Sequence, residues 1–137
     1  MGFTPTLTLQ LLAALVAGGF TTLTASPFEL WWLGPVAMGL LYVGLHTLTP
    51  RQAALKGWLY GVALFASGTS WVYVSIHDYG YTGVPLAVFL TALFVGVLAL
   101  FFAGTFWLYR RFIGPRWALL TFAGAWVLGE VLRTYLF

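Results

Sequence analysis

Hydroxyls, aromatic donors, an imidazole and a carboxylate crowd into one stretch of this chain: Ser67-Gly68-Thr69-Ser70-Trp71-Val72-Tyr73-Val74-Ser75-Ile76-His77-Asp78-Tyr79-Gly80. A base beside an acid invites hydrolase chemistry, with His77 as base and Asp78 as its orienter, but a triad also needs a placed nucleophile. Neighbouring residues do not face each other on a helix. Neither a G-x-S-x-G elbow nor a phosphate-cradling G-x-x-x-x-G-K occurs anywhere. For Ser67, Thr69 and Ser70 the simpler reading is that their hydroxyls bond back to carbonyls of the preceding turn, while the aromatic residues act as interfacial anchors. Helical spacing nevertheless sets Ser67, then Ser70 or Trp71, then Val74 or Ser75 along one stripe, so part of this polar set can face a groove.

Glu130 and Arg133 stand three residues apart, where a helix brings them onto one face as an ion pair. Each charge would cost roughly 2.5–3.5 kcal/mol at the centre of a membrane helix, so neither belongs against lipid. The pair reads first as a structural lock between helices, and second as a place where Arg133 meets a lipid phosphate. His46 and His77 fall on opposite membrane sides in the topology below and cannot share a metal. With no cysteine, the chain has no disulfide, no thiol nucleophile and no Cys-based metal site. No catalytic residue, metal ligand or cofactor site is assigned.

The elements that position these residues follow from composition. Hydrophobic residues make up 61% of the chain and charged residues 7%, against about 25% charged in an ordinary soluble domain. A chain of 137 residues cannot hide so much apolar surface in one core. Lipid must act as the solvent. The formal charge of +3 is carried by a few basic residues between apolar runs, so it reads as a topology signal and not as a nucleic-acid patch.

From Tyr79 to Tyr109 no Asp, Glu, Lys or Arg occurs, and similar gaps fill Met1 to Phe28, Leu30 to Pro50, Gly57 to His77 and Trp117 to Gly129. Each reaches or approaches the roughly 20 apolar residues that cross a bilayer, and backbone inside lipid must be helical unless it closes as a barrel. These runs are too long for barrel strands. The expected fold is therefore an all-α polytopic bundle of about five transmembrane helices over 7–24, 30–48, 57–76, 86–109 and 118–137. Ser26-Pro27, Pro50, Gly80-Gly83-Pro85 and Gly114-Pro115 mark the breaks.

Arg51 and Lys56 fall in the second connection and Arg110, Arg111 and Arg116 in the fourth, while the first and third carry only Glu29 and Asp78. The positive-inside rule then makes the amino terminus cytoplasmic and turns Asp78 outward. Trp31, Trp32, Tyr79 and Tyr81 fall at the outer boundary; Trp58, Tyr60, Trp107, Tyr109 and Trp117 fall at the inner one. The first helix lacks the basic start of a cleaved leader and reads as a true span. Small residues four apart, among them Ala14 and Gly18, Gly57 and Gly61, Ala92 and Gly96, and Ala125 and Gly129, read as internal packing stripes in preference to a homodimer face.

Three segments carry a resemblance: Gly68 through Trp71-Val72-Tyr73-Val74-Ser75-Ile76, the earlier Ser26-Pro27-Phe28 hairpin, and Leu128-Gly129-Glu130-Val131-Leu132-Arg133. In order and spacing they resemble the membrane domain of bacterial apolipoprotein N-acyltransferases, over essentially the whole chain. The resemblance implies a multi-pass enzyme of the bacterial inner membrane. Its substrates would be a phospholipid acyl donor and the amino group of a lipoprotein's diacylglyceryl-cysteine, joined through an acyl-enzyme thioester.

In that family a periplasmic nitrilase-like domain with a Glu-Lys-Cys triad performs the chemistry, and no such segment occurs here. The resemblance thus implies an amino-terminal portion, inactive by itself, whose outward half holds acyl chains beneath that domain. Trp71, Tyr73, Ser75, His77 and Arg133 are the expected lipid-binding residues. The alternative from another class is a non-enzymatic membrane scaffold or a small transporter-like bundle.

Overall fold

In a computed structural model the protein is described over residues 5–25, 27–113 and 118–136. Every regular element among these residues is helical: α1 (Pro5–Leu23), α2 (Leu33–Tyr42), a 3₁₀ turn (Leu45–Thr47), α3 (Pro50–Gly68), α4 (Ser70–Val74), a π turn (Ser75–Tyr79), α5 (Val84–Phe112) and α6 (Ala118–Leu136). The Gly114-Pro115 break, Arg116, Trp117 and the Ser26 position lie outside the described residues. α1 and α5 are long and apolar enough to cross a membrane, and a third crossing exists if α3 and its bent continuation form one broken span.

α3 lies at the centre, packed against α1 on one side and α5 on the other. The contacts are close because small residues make them. A Cβ added to Gly57 would lie 2.5 Å from the Phe102 carbonyl oxygen, one on Gly61 2.8 Å from Ala99 Cα, and one on Gly18 2.5 Å from the Tyr60 carbonyl oxygen. These stripes thus serve contacts within the bundle. α6 docks through aromatic rings: Trp126 sits 5.3 Å from Tyr60 and 5.2 Å from Phe102, and Phe122 sits 5.5 Å from Tyr109. Outside this core the surface is apolar, with Leu9, Leu12, Leu86, Phe89, Leu93, Leu100 and Leu108 all more than half exposed. A face of that kind fits hydrocarbon and would be a liability in water.

Two expectations need correction. The helix expected over 30–48 is only ten residues long and breaks at Gly44, whose φ of +71° is left-handed. The helix expected to begin at Gly57 begins at Pro50, fixed by a reciprocal capping box between Thr49 and Gln52 with proline in the first turn. That earlier start carries Lys56 out of its expected loop and into the bundle, where it is fully buried.

Its ammonium donates to Gln10 Oε1 at 2.6 Å, to the Val43 carbonyl at 2.9 Å and to the Leu40 carbonyl at 3.2 Å. Three N–H donors meet three acceptors, two of them carbonyls left over by the last turn of α2. The positive charge also sits at the negative pole of that helix. Arg110 closes the rest of the break, its Nε donating to the Leu48 carbonyl at 2.8 Å and its Nη2 to the His46 carbonyl at 2.9 Å. The second connection and the end of α5 therefore lie at one end of the bundle.

Replacing Lys56 by Met removes the donor to three acceptors, at about 1–3 kcal/mol for each buried group left unmatched. Lys56→Met is expected to lower unfolding stability in detergent by at least about 3 kcal/mol, while exposed Arg51→Met stays within about 0.5 kcal/mol. Gly44→Ala places a Cβ 1.7 Å from Gln10 Nε2 on left-handed backbone. It should cost about 1–3 kcal/mol in the same measurement.

A candidate lipid site at the bent third segment

At the far end from Lys56, α3 stops at Gly68 and the chain turns by 60° into the segment Ser70–Tyr79. Ser67 and Thr69 prepare the turn by returning their hydroxyls to the chain, Ser67 Oγ to the Ala63 carbonyl at 2.6 Å and Thr69 Oγ1 to the Phe65 carbonyl at 2.5 Å. Back-bonding of this kind bends helices. Past Val74 the helix widens into the π turn, an arrangement that recurs at functional sites.

Tyr73 and His77 come together on one face of this segment. Their rings stack at 5.4 Å between centroids, and His77 Nδ1 meets the Thr82 carbonyl at 2.7 Å, so that nitrogen carries the proton. His77 Nε2 stands 4.0 Å from Asp78 Oδ1, with the Asp78 side chain 60% exposed. This contact is too long and too open for a tight base-orienter pair. Trp71, 63% exposed, and Ser75 project elsewhere, since two positions on a helix are about 200° apart. The expected lipid-binding set is thus divided between two faces. The Arg133 side chain lies outside what the structure describes, and with it the expected Glu130–Arg133 pair.

Below Tyr73 a groove of about 440 Å³ runs between α3 and α5, walled by Trp58, Val62, Val88, Ala92, Val95 and Gly96. From Val88 to Gly96 the helix rises about 12 Å. Trp58 closes the lower end, its indole N–H donating to the Gly96 carbonyl at 3.2 Å. A Cβ on Gly96 would meet nothing within 4 Å, so the Ala92 and Gly96 stripe borders space where the Gly57 and Gly61 stripe borders backbone. Such an apolar slot suits a hydrocarbon chain.

Sequence reasoning passed over a second cleft, of about 510 Å³, on the opposite side of the bend. Thr21, Thr22, Pro27, Phe28, Ser67, Gly68, Thr69 and Glu130 line it. Both clefts are walled by α3, but among described residues they share no lining residue. Its signal was present in the sequence, because the three segments that carried the resemblance each supply part of its lining.

Residues 17–137 match the family described as the apolipoprotein N-acyltransferase N-terminal domain. Among relatives named apolipoprotein N-acyltransferase, that of Pseudomonas syringae pv. tomato is 45% identical over 126 residues, covering 89% of this chain and 25% of the relative. The Azotobacter vinelandii protein is 44% identical over 126 residues, covering 89% and 24%. The Coxiella burnetii protein is 42% identical over 128 residues, covering 90% and 26%. The chain spans about a quarter of the length of the curated relatives it matches. With the match running through the bent segment, both of its flanking grooves and α6, this chain belongs to the apolipoprotein N-acyltransferase family, in its N-terminal domain.

Proposed function

We propose that this chain is the membrane portion of a phospholipid:apolipoprotein N-acyltransferase of the bacterial inner membrane. It holds acyl chains for transfer to the amino group of a lipoprotein's N-terminal diacylglyceryl-cysteine. The family match over residues 17–137 is the observation that carries this reading. The topology that goes with it has five crossings and a cytoplasmic amino terminus, with α2 as a short, broken one. The bent third segment then opens to the periplasmic side, where a lipidated protein terminus is presented.

In this reading the groove under Tyr73 takes a hydrocarbon chain of the phospholipid donor. Burial alone gives little selectivity, because the chain leaves lipid for a lipid-like slot and gains almost no hydrophobic energy. Discrimination falls to groups at the mouth. Tyr73 borders the slot with His77 stacked on its ring, Trp71 and Ser75 face the boundary region, and Arg133 reaches a phosphate or pairs with Glu130. The thiol chemistry lies outside this chain, which contains no cysteine.

Gly96→Leu tests the groove, because Gly96 lines it and a Cβ at this position meets nothing within 4 Å. In the full-length protein it should cut the rate of acyl transfer from phospholipid about tenfold, or about 1.4 kcal/mol of barrier, with the melting temperature unchanged. Trp71→Ala and Arg133→Ala should each lower the same rate. Wild-type rates in all three variants would refute the assignment.

A further inference from the structure

We infer that Trp58 sets the length of the acyl chain that is transferred, by forming the floor of the slot under Tyr73. The inference rests on the acyltransferase reading for what occupies the slot. Its own basis is the slot's depth and the way its lower end is closed.

Both walls stop at the same level. On α3 the lining runs from Ala66 down to Trp58 and on α5 from Val88 to Gly96, about 12 Å along each helix at about 1.5 Å per residue. At the lower end the indole N–H donates to the Gly96 carbonyl at 3.2 Å, which ties a side chain of α3 to the backbone of α5 across the slot and holds the ring in place. Val95 and Gly96 are the other lining residues at that level, so the bulk there belongs to the ring. One turn lower on the same stripe of α3 stands Ala54, half-buried and too small to close the space by itself.

The depth fits the same role. α3 begins at Pro50, so Trp58 stands about 12 Å into the helix and away from the boundary position expected for it. In the proposed topology a chain entering from the periplasmic leaflet meets the ring near the end of that leaflet's share, about 15 Å, of a hydrocarbon core of about 30 Å. Carbon–carbon bonds of about 1.52 Å meeting near 111° advance a chain by about 1.25 Å per carbon, so the slot takes about ten carbons in line. Down to the floor, each added carbon leaves lipid for a similar environment and changes little. Past the floor, the next carbon must displace the indole or turn the chain out between the helices. A closed apolar pocket discriminates a single methylene by about tenfold or more.

The full-length protein in vesicles is offered an equimolar series of phospholipids that differ only in acyl length, with a diacylated peptide as acceptor. Mass spectrometry of the acylated peptide reads which lengths were transferred, separately from how much. The wild-type profile should have a ceiling, with transfer falling about tenfold just beyond the preferred length. Trp58→Ala should move the ceiling up by about four carbons, the helical turn of about 5.4 Å that separates the ring from Ala54. Val62→Phe, which raises a ring one turn above the floor, should move it down, and remains readable if Trp58→Ala does not fold.

A wild-type profile without a ceiling overturns the inference, as does an unshifted profile in either variant at a wild-type melting temperature. A purely structural Trp58 would reduce all lengths alike and leave the profile where it was. Total transfer tests the other reading: wild-type amounts in Gly96→Leu, Trp71→Ala and Arg133→Ala remove the proposed function, whereas a loss in Gly96→Leu beside an unshifted Trp58→Ala profile keeps the slot and removes its floor.

Discussion

The buried ammonium of Lys56 is the contact on which the bundle depends. Inside lipid a helix can stop only if something accepts or supplies its orphaned backbone groups. α2 stops after ten residues, and its leftover carbonyls are held by Lys56 while Gln10 of α1 occupies the third donor. One side chain thereby ties α1, α2 and α3 together at a single depth. Gly44 belongs to the same arrangement, since its left-handed backbone leaves the space that Gln10 fills. Arg110 repeats the device from α5, so two cations that usually mark the cytoplasmic side also close a break in the backbone.

Fixing that end leaves the other free to specialise. With Gly57 and Gly61 seated on α5, α3 reaches its end in a set position, and the 60° bend at Thr69 carries the polar segment away from the bundle axis. The bend has a cavity on each side: an apolar slot under Tyr73, and a hydroxyl-lined cleft between Thr22, Ser67 and Glu130. A lipid with an acyl tail and a charged head has both kinds of chemistry to satisfy, and the segment between the cavities lies inside the family match over residues 17–137.

How much of this was legible in the sequence depended on how local each cause is. The charge gap from Tyr79 to Tyr109 shows α5 directly, and α1 follows from an uncharged run, because span length is a property of the segment itself. The break in α2 was hidden, since it depends on Lys56 and Arg110 arriving from distant helices. The place of Lys56 has a local signal that the charge gaps do not carry: Thr49-Pro50 followed by Gln52 is a helix start, and it sets Lys56 well inside the helix. The polar stretch at 67–80 stands out in the sequence, and the two-residue offset of Trp71 and Ser75 from Tyr73 already divides it between two faces, whereas the bend and the π turn are geometry that no spacing rule reports. Ala92 and Gly96 look the same as Gly57 and Gly61 in sequence; only the packed structure distinguishes a contact from a slot.

The account requires the Asp78 turn and the Lys56 end to lie on opposite sides of the membrane, with Asp78 beyond the cytoplasm. This chain contributes no cysteine of its own, so each introduced cysteine is read against the same protein without the substitution. Asp78→Cys and Arg111→Cys, both at exposed positions, are treated in separate intact cells with a membrane-impermeant maleimide. Asp78→Cys should label at once and Arg111→Cys only after permeabilisation. Labelling of both in intact cells, or of Arg111→Cys alone, would contradict the account.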